Sequence, residues 1–330
     1  MIKLETHLEI MGGKKGIALV AVLWVLAILM VIVLSFSFAV RVETHSTLSF
    51  KEDMEKRFLA EAGIERGIME VFYRNANKGQ RTILEGMEVW NIDGKPYRVQ
   101  TDNGFYTVSI TDESGKVDIN TTPDVILRNL LINLGLELEN VDTIVDSIMD
   151  WKDPDELHRL HGAESDYYML LPNPYKVKNA NFDTLEELLM VNGVTPEILY
   201  RSKEKKGIID FLTVNSGTGA ININAASREV LMAVPGITPE VADEIINQRQ
   251  IKEISYFQGI KGIPEENYPL VEPYVTTEGA HTFAIESVGY KGNKKAGYGI
   301  KAIVVVVGDD DKYEYLYYKK GYEGSRIQVN

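Results

Sequence analysis

Cysteine is absent from the 330 residues, which excludes disulfides, thiolate metal sites and a cysteine nucleophile. Histidine is scarce, and of the five only His158 and His161 stand close together. One such pair reads as loop or surface rather than as zinc ligands. The chain also lacks a phosphate-cradling glycine loop, a G-x-S-x-G elbow and an H-E-x-x-H helix, and no acid–base couple stands out among its carboxylates, so no enzyme is expected. Positive charge is in deficit: 35 Lys and Arg face 48 Asp and Glu, a formal net charge of −13. Binding nucleic acid requires a concentrated positive field, whereas this surface favours cations or basic protein faces.

What is present begins with IALVAVLWVLAILMVIVLSFSFAV at residues 17–40, which holds no ionisable side chain. As a helix rising ~1.5 Å per residue it covers ~36 Å, more than the ~30 Å of a bilayer core. A secretory signal has a shorter apolar region followed by a cleavage site. Here no proline interrupts 41–74, and Leu48, Phe58, Leu59, Ala62, Ile68, Met69 and Phe72 keep an apolar stripe. The two pieces predict one long helix, apolar first and amphipathic after.

From Gly86 the period changes to alternation, predicting strands near 87–92, 96–100, 105–111 and around Val117. Strand patterns return only at 282, as HTFAIESVGY, GYGIKAIVVVVGD and YEYLYYKKGY. Between them the periodicity predicts helices at 124–134, 140–151, 163–169, 185–191, 196–201, 227–233 and 239–248. The economical topology is one α/β domain interrupted by a helical insert. Internal repetition supports it: VDINTTPDVIL from Val117 aligns with ININAASREVL from Ile221, and LLMVNGVTPEI from Leu188 with LMAVPGITPEV from Leu231. In the second pair Gly193 matches Gly236, each a helix end suited to positive φ before a Thr-Pro-Glu helix start.

Those glycine turns have the helix-hairpin-helix pattern, so a membrane-tethered DNA-binding protein is one reading. Residues 225–262 carry more acidic than basic side chains, which favours a hairpin that packs helices. DWKDPDELHRLHGAESDYY gathers Asp150, Asp153, Asp155, Glu156, Glu164 and Asp166. Carboxylates this close repel one another, and a hard dication such as Ca²⁺ removes that cost. Two readings stay open: a calcium site built from Asp150, Asp153, Asp155 and Glu164, or a solvated acidic turn. The loop lacks EF-hand spacing. Asp309, Asp310 and Asp311 form a second cluster, in a stretch that reads as a hairpin turn.

Lys14-Lys15-Gly16 stands directly before the apolar run, a small-residue boundary that precedes the hydrophobic helix. This arrangement resembles type IV pilin-like precursors, cut after the glycine by a prepilin peptidase. KKGIALVAVLWVLAIL, FLAEAGIERG, GKVDINTTP, DSIMDWKDPDELHRLHGAESDYY, FDTLEELLMVNGVTPE and ININAASREVLMAVPGITPEVAD together resemble the K-type minor pseudopilin family of type II secretion systems. The resemblance implies an α+β fold: a long N-terminal transmembrane helix on an antiparallel pilin-like sheet, interrupted by a large all-helical insert of SAM-like, helix-hairpin-helix type. The expected divisions are a leader at 1–16, a transmembrane helix at 17–40, pilin-like parts at 41–119 and 281–330, and the insert at 120–280. It implies cleavage between Gly16 and Ile17, methylation of the new Ile17 amine, and Ala21 in place of the glutamate most pilins carry, a departure that goes with a place at the fibre tip. It also implies I-type and J-type minor pseudopilins and the inner-membrane secretion platform as partners, no nucleic acid, and a single pass through the inner membrane with periplasmic soluble domains. Calcium has been associated with that family, which favours the metal reading of the acidic loop.

Overall fold

A computed structural model describes residues 13–76, 90–200, 206–251, 253–260, 262–279, 281–292, 296–307 and 312–323. Most of the expected leader, the first residues of the strand expected at 87–92 and the Asp309 to Asp311 cluster lie outside them. The chain divides into two compact units, Met1–Glu55 and Lys56–Asn330.

Helix α1, Gly13–Ala76, is continuous. Within the first unit its apolar run is exposed at every position from Ala18 to Val40. At ~25 cal/mol per Å² of apolar area, that surface is costly in water, and the helix is long and apolar enough to cross a membrane.

In the second unit, the last turns of α1 pack on a five-stranded antiparallel sheet. Strands β1 (Tyr97–Thr101) and β2 (Gly104–Asp112) form a hairpin across Asp102 and Asn103. The helix face that is buried is Ala60, Gly63, Ile64, Gly67, Ile68, Val71 and Glu70, whose Oε1 accepts the Trp90 amide at 3.1 Å. The apolar stripe expected from sequence is only partly right, since Phe58, Ala62 and Met69 are exposed. Glycine explains the rotation. A Cβ on Gly63 would stand 2.1 Å from Ser287 Oγ, and one on Gly67 would stand 2.7 Å from Ile285 Cγ2. The helix therefore meets the sheet along its glycines, which a count of bulky apolar residues overlooks.

The insert leaves the sheet at the end of β2 and returns beside it. After β2 come β3 (Val117–Asp118), α2 (Asp124–Asn133), α3 (Leu138–Lys152), α4 (Ser165–Tyr168) and α5 (Pro196–Tyr200). Then follow β4 (Leu212–Thr213), β5 (Ile221–Asn222), α6 (Arg228–Leu231), α7 (Pro239–Ile251), α8 (Tyr268–Val271) and β6 (Val275–Thr276). Strands β7 (Thr282–Lys291), β8 (Tyr298–Val307) and β9 (Lys312–Glu323) complete the sheet in the order β1-β2-β7-β8-β9. Asp112 pairs with Phe283, so the excursion starts and ends on neighbouring residues of adjacent antiparallel strands. Two points this close make insertion compatible with an intact sheet.

The expected boundary after Ile119 moves back to Asp112. Val117 and Asp118 pair with Leu212 and Thr213 rather than with the antiparallel sheet, and Val117 and Ile119 belong to the insert's core. The insert is also not purely helical, because β3 pairs with β4 and β5 with β6, both in parallel. The helix expected at 185–191 is a 3-10 helix, Leu185–Met190.

These two parallel pairs bracket two successive modules of one design. In each, a strand leads through an asparagine into a helix, a left-handed glycine, a second helix and a return strand. Asn120 exchanges hydrogen bonds with the backbone of Phe182, donating at 3.0 Å and accepting at 2.8 Å. Asn224 does the same with Ile254, at 2.9 Å both ways. A cation closes each module: Lys152 Nζ donates to the Ile119 carbonyl at 2.9 Å, and Arg249 Nη1 to the Ile223 carbonyl at 2.7 Å. Gly135 and Gly236, at φ +80° and +87°, turn between the paired helices.

The likeness of LLMVNGVTPEI to LMAVPGITPEV thus joins turns in different places. Gly193 follows Phe182, as Gly262 follows Ile254, whereas the counterpart of Gly236 is Gly135. Both sequences solve the same local problem, ending one helix and capping the next.

Candidate functional site

The first module differs from the second by one long loop. After α7 the chain reaches Ile254 almost at once, whereas Lys152 and Phe182 are separated by the acidic loop and α4. Trp151, Tyr168, Tyr175 and Phe182 seat that loop. The Trp151 ring lies 5.5 Å from Tyr168, 6.2 Å from Tyr175 and 6.3 Å from Phe182 between centroids.

Asp153 caps α3, its amide donating to the Met149 carbonyl at 3.1 Å, and Pro154 then turns the chain away. Asp153, Asp155 and Glu164 each offer a carboxylate oxygen within 4.8 Å of the others. Glu164 is 1% exposed, and neither of its oxygens has a hydrogen-bond partner; Asp153 Oδ1 is likewise buried and unpartnered. Burial, then the charges of Asp150, Asp153 and Glu156, push the Glu164 carboxyl up to about 7. Buried acceptors without donors are costly, and several together demand a proton or a cation.

Asp150 stands apart from this trio. It is fully buried, and both of its oxygens accept the Arg159 amide, at 3.3 and 3.2 Å. Gly162 closes on it so tightly that a Cβ would fall 1.8 Å from Asp150 Oδ2. Burial raises the Asp150 carboxyl, with the Arg159 amide opposing. Its geometry is that of a residue that folds the loop.

Sequence reasoning named Glu156 without giving it a role, and it missed Asn179. Glu156 accepts from Ser165 N at 3.3 Å and Ser165 Oγ at 3.1 Å, fixing the residue after Glu164. Asn179, at φ +50°, donates to the Asp155 carbonyl at 3.3 Å and to Glu156 Oε1 at 3.2 Å, while its own oxygen is buried and unpartnered. An asparagine far along the loop carries no spacing signal. Ser165 following Glu164 was the visible hint.

The other named residues lie on α1. Gly16 and Ile17 fall within its backbone, and Ala21 is exposed on it. The helix-hairpin-helix stretch, by contrast, is occupied by its own chain. A Cβ on Gly236 would meet Val271 Cγ2 at 2.9 Å, Arg228 holds Asp243 through contacts of 2.6 and 3.1 Å, and Arg249 is spent on carbonyls. The turn and the two described cations of the stretch, Arg228 and Arg249, face protein, which disfavours the DNA reading.

Comparisons with known proteins agree with this architecture. The family described as type II secretion system (T2SS), protein K, matches residues 108–204, and the helix-hairpin-helix motif matches 217–276, so the two matches fall one on each module. Type II secretion system protein K of Pseudomonas aeruginosa is 27% identical over 255 residues, covering 72% of this chain and 73% of the relative. The protein of that name from Pectobacterium carotovorum is 27% identical over 203 residues, covering 57% and 60%. A chain of the solved GspK-GspI-GspJ complex from the type 2 secretion system of enterotoxigenic Escherichia coli superposes with a TM-score of 0.61 at 14% identity, over 84% of this chain and all of that one. That likeness carries the fold.

Proposed function

We propose, from the premise that this chain belongs to the type II secretion system protein K family, that it is a membrane-anchored minor pseudopilin working at the tip of the pseudopilus and starting its assembly. The observation that carries the tip position is the insert. It comprises two modules with their own core, leaving and rejoining the sheet beside the Asp112–Phe283 pair, and lateral neighbours in a helical fibre would collide with such a mass. Ala21 agrees, since it lacks the carboxylate with which a pilin subunit pairs the terminal amine of its neighbour.

In this reading a prepilin peptidase cuts between Gly16 and Ile17, the Ile17 amine is methylated, and the apolar helix crosses the inner membrane with the soluble unit in the periplasm. The subunit then joins I-type and J-type minor pseudopilins, as the relative in the solved complex does with GspI and GspJ. Co-expression with those two proteins followed by detergent extraction tests it. The expected result is a complex of all three whose K-type member begins at methylated Ile17 by mass spectrometry. A chain retaining Met1, or one lacking its apolar helix, overturns the reading.

The acidic loop is a calcium site in the same reading. Asp153, Asp155 and Glu164 would hold the ion, and Asp150 would fix the loop. Bound calcium supplies the positive charge that the unpartnered Glu164 oxygens lack. Calorimetric titration of the full chain in detergent is expected to give saturable heat, abolished in Glu164→Gln. Terbium luminescence excited through Trp151 offers a second readout. A wild-type chain without saturable heat removes the metal.

A further inference from the structure

Among the described residues of the second unit, the three most exposed leucines all lie on the loop that the second module lacks: Leu160 at 89%, Leu170 at 87% and Leu157 at 76%. The aromatic residues of the same loop are used to seat it, so it had apolar side chains to bury and left these outside. His158 Nε2 lies 2.9 Å from Asp166 Oδ1, which ties the stretch bearing Leu157 and Leu160 to α4, just before Leu170. Met169, Leu189 and Met190 add partly exposed apolar surface, and Tyr175 Oη holds the Met190 carbonyl at 2.6 Å. Isolated exposed leucines need no explanation, but several carried by one rigidly tied loop mark an interaction surface.

The surrounding charge selects the occupant. Residues 153–192 hold eight carboxylates against three cations, and one of those cations, Lys178, is engaged by Asp183 at 2.7 Å and Glu187 at 2.8 Å. An anionic bilayer or a nucleic acid is repelled by such a surface, and a second copy of this chain would bring the same sign. We infer that Leu157, Leu160 and Leu170 form a docking surface for a segment of another protein in which apolar side chains alternate with lysine or arginine. The leucines supply buried area at the centre of the contact, and Glu156 and Asp166 supply an acidic rim. The surface stands whether or not calcium binds beneath it, because it rests on exposure and charge along the whole loop.

The test uses the full chain in nanodiscs of zwitterionic lipid with calcium present throughout. The probe is a fluorescent amphipathic peptide of leucine and lysine, with a leucine–glutamate peptide as its counterpart, read by anisotropy against empty nanodiscs. The expected result is binding of the leucine–lysine peptide alone, weakened at least ~tenfold when Leu157, Leu160 and Leu170 are all changed to serine. The same change at Leu138, Tyr256 and Leu270, exposed elsewhere in the insert, is expected to leave binding unchanged. Thermal melts of both variants check folding. No binding of the leucine–lysine peptide, equal binding of both peptides, or equal loss in the two triple variants overturns the proposal.

Discussion

The two modules of the insert solve one folding problem with matching parts, yet only one carries the candidate metal site. Each begins with a two-residue strand, an asparagine that seals a distant backbone, and a cation at the end of the second long helix. In the second module the helix end and the sealed backbone are nearly adjacent, and nothing is interposed. In the first, the chain between them grew into an acidic, apolar-tipped loop. A scaffold whose closure depends on a few reciprocal hydrogen bonds tolerates a long excursion between them, because loop-closure entropy rises only slowly with length. The candidate site lies where the scaffold asks least of the sequence.

The sharpest way to break this equivalence is to remove both seals. Asn120→Ala deletes two hydrogen bonds and Asn224→Ala three, the third running from the Asn224 amide to the Thr277 carbonyl at 3.2 Å, so the costs expected in urea unfolding of the full chain are about 3 and about 4 kcal/mol. A smaller loss at Asn224 than at Asn120 would show that the two asparagines are not counterparts.

Next in size is the pH response that Glu164 gives the first module. Glu164 is raised from 4.5 to about 7 in the folded chain, so the native state binds more protons than the unfolded state between those values. Without metal, the contribution of Glu164 to stability is therefore full below about pH 4.5 and falls as pH rises towards 7, by on the order of 2 kcal/mol after allowance for screening. Buried Asp112, raised to about 6, adds a fall of the same sign, so melting in chelator is read as the difference between the wild-type chain and Glu164→Gln, which is expected to lose the Glu164 part. Calcium is expected to remove it as well, since the ion takes the place of the proton. A melting temperature that rises across this interval in chelator contradicts the burial assigned to Glu164.

The smallest contrast lies between the two helix turns. Gly135→Ala meets nothing within 4 Å, so it carries only the left-handed backbone cost of about 1 kcal/mol. Gly236→Ala adds a clash with Val271 Cγ2 at 2.9 Å and is expected to cost about 1 kcal/mol more. Equal losses for the two would mean that α8 yields freely against the turn.

Much of this was readable before any coordinates. The apolar run of 17–40, the strands at 96–100 and 105–111, and the helices at 124–134, 140–151 and 239–248 follow from periodicity, and the structure places them within a few residues, whereas residues 90–92 of the strand expected at 87–92 are not strand. The acidic loop was visible as composition. The role of Asp150 was not, because its oxygens are claimed by the Arg159 amide, a contact set by how the loop folds back. The buried face of α1 was misread for a related reason: Gly63 and Gly67 contribute no hydrophobicity, yet they are where the helix touches the sheet.

Local patterns therefore determined what each segment is: a membrane-crossing helix, strands, capped turns and a concentration of carboxylates, since each depends on residues a few positions apart. Only the tertiary structure decided which segments correspond. It matched Gly236 with Gly135 rather than with Gly193, and it moved Val117 from the sheet to the insert. It also turned both oxygens of Asp150 to the Arg159 amide while bringing oxygens of Asp153, Asp155 and Glu164 within 4.8 Å of one another. Those outcomes depend on hydrogen bonds and packing between residues far apart in the chain, and turn chemistry, being the same wherever a helix ends, carries no record of them.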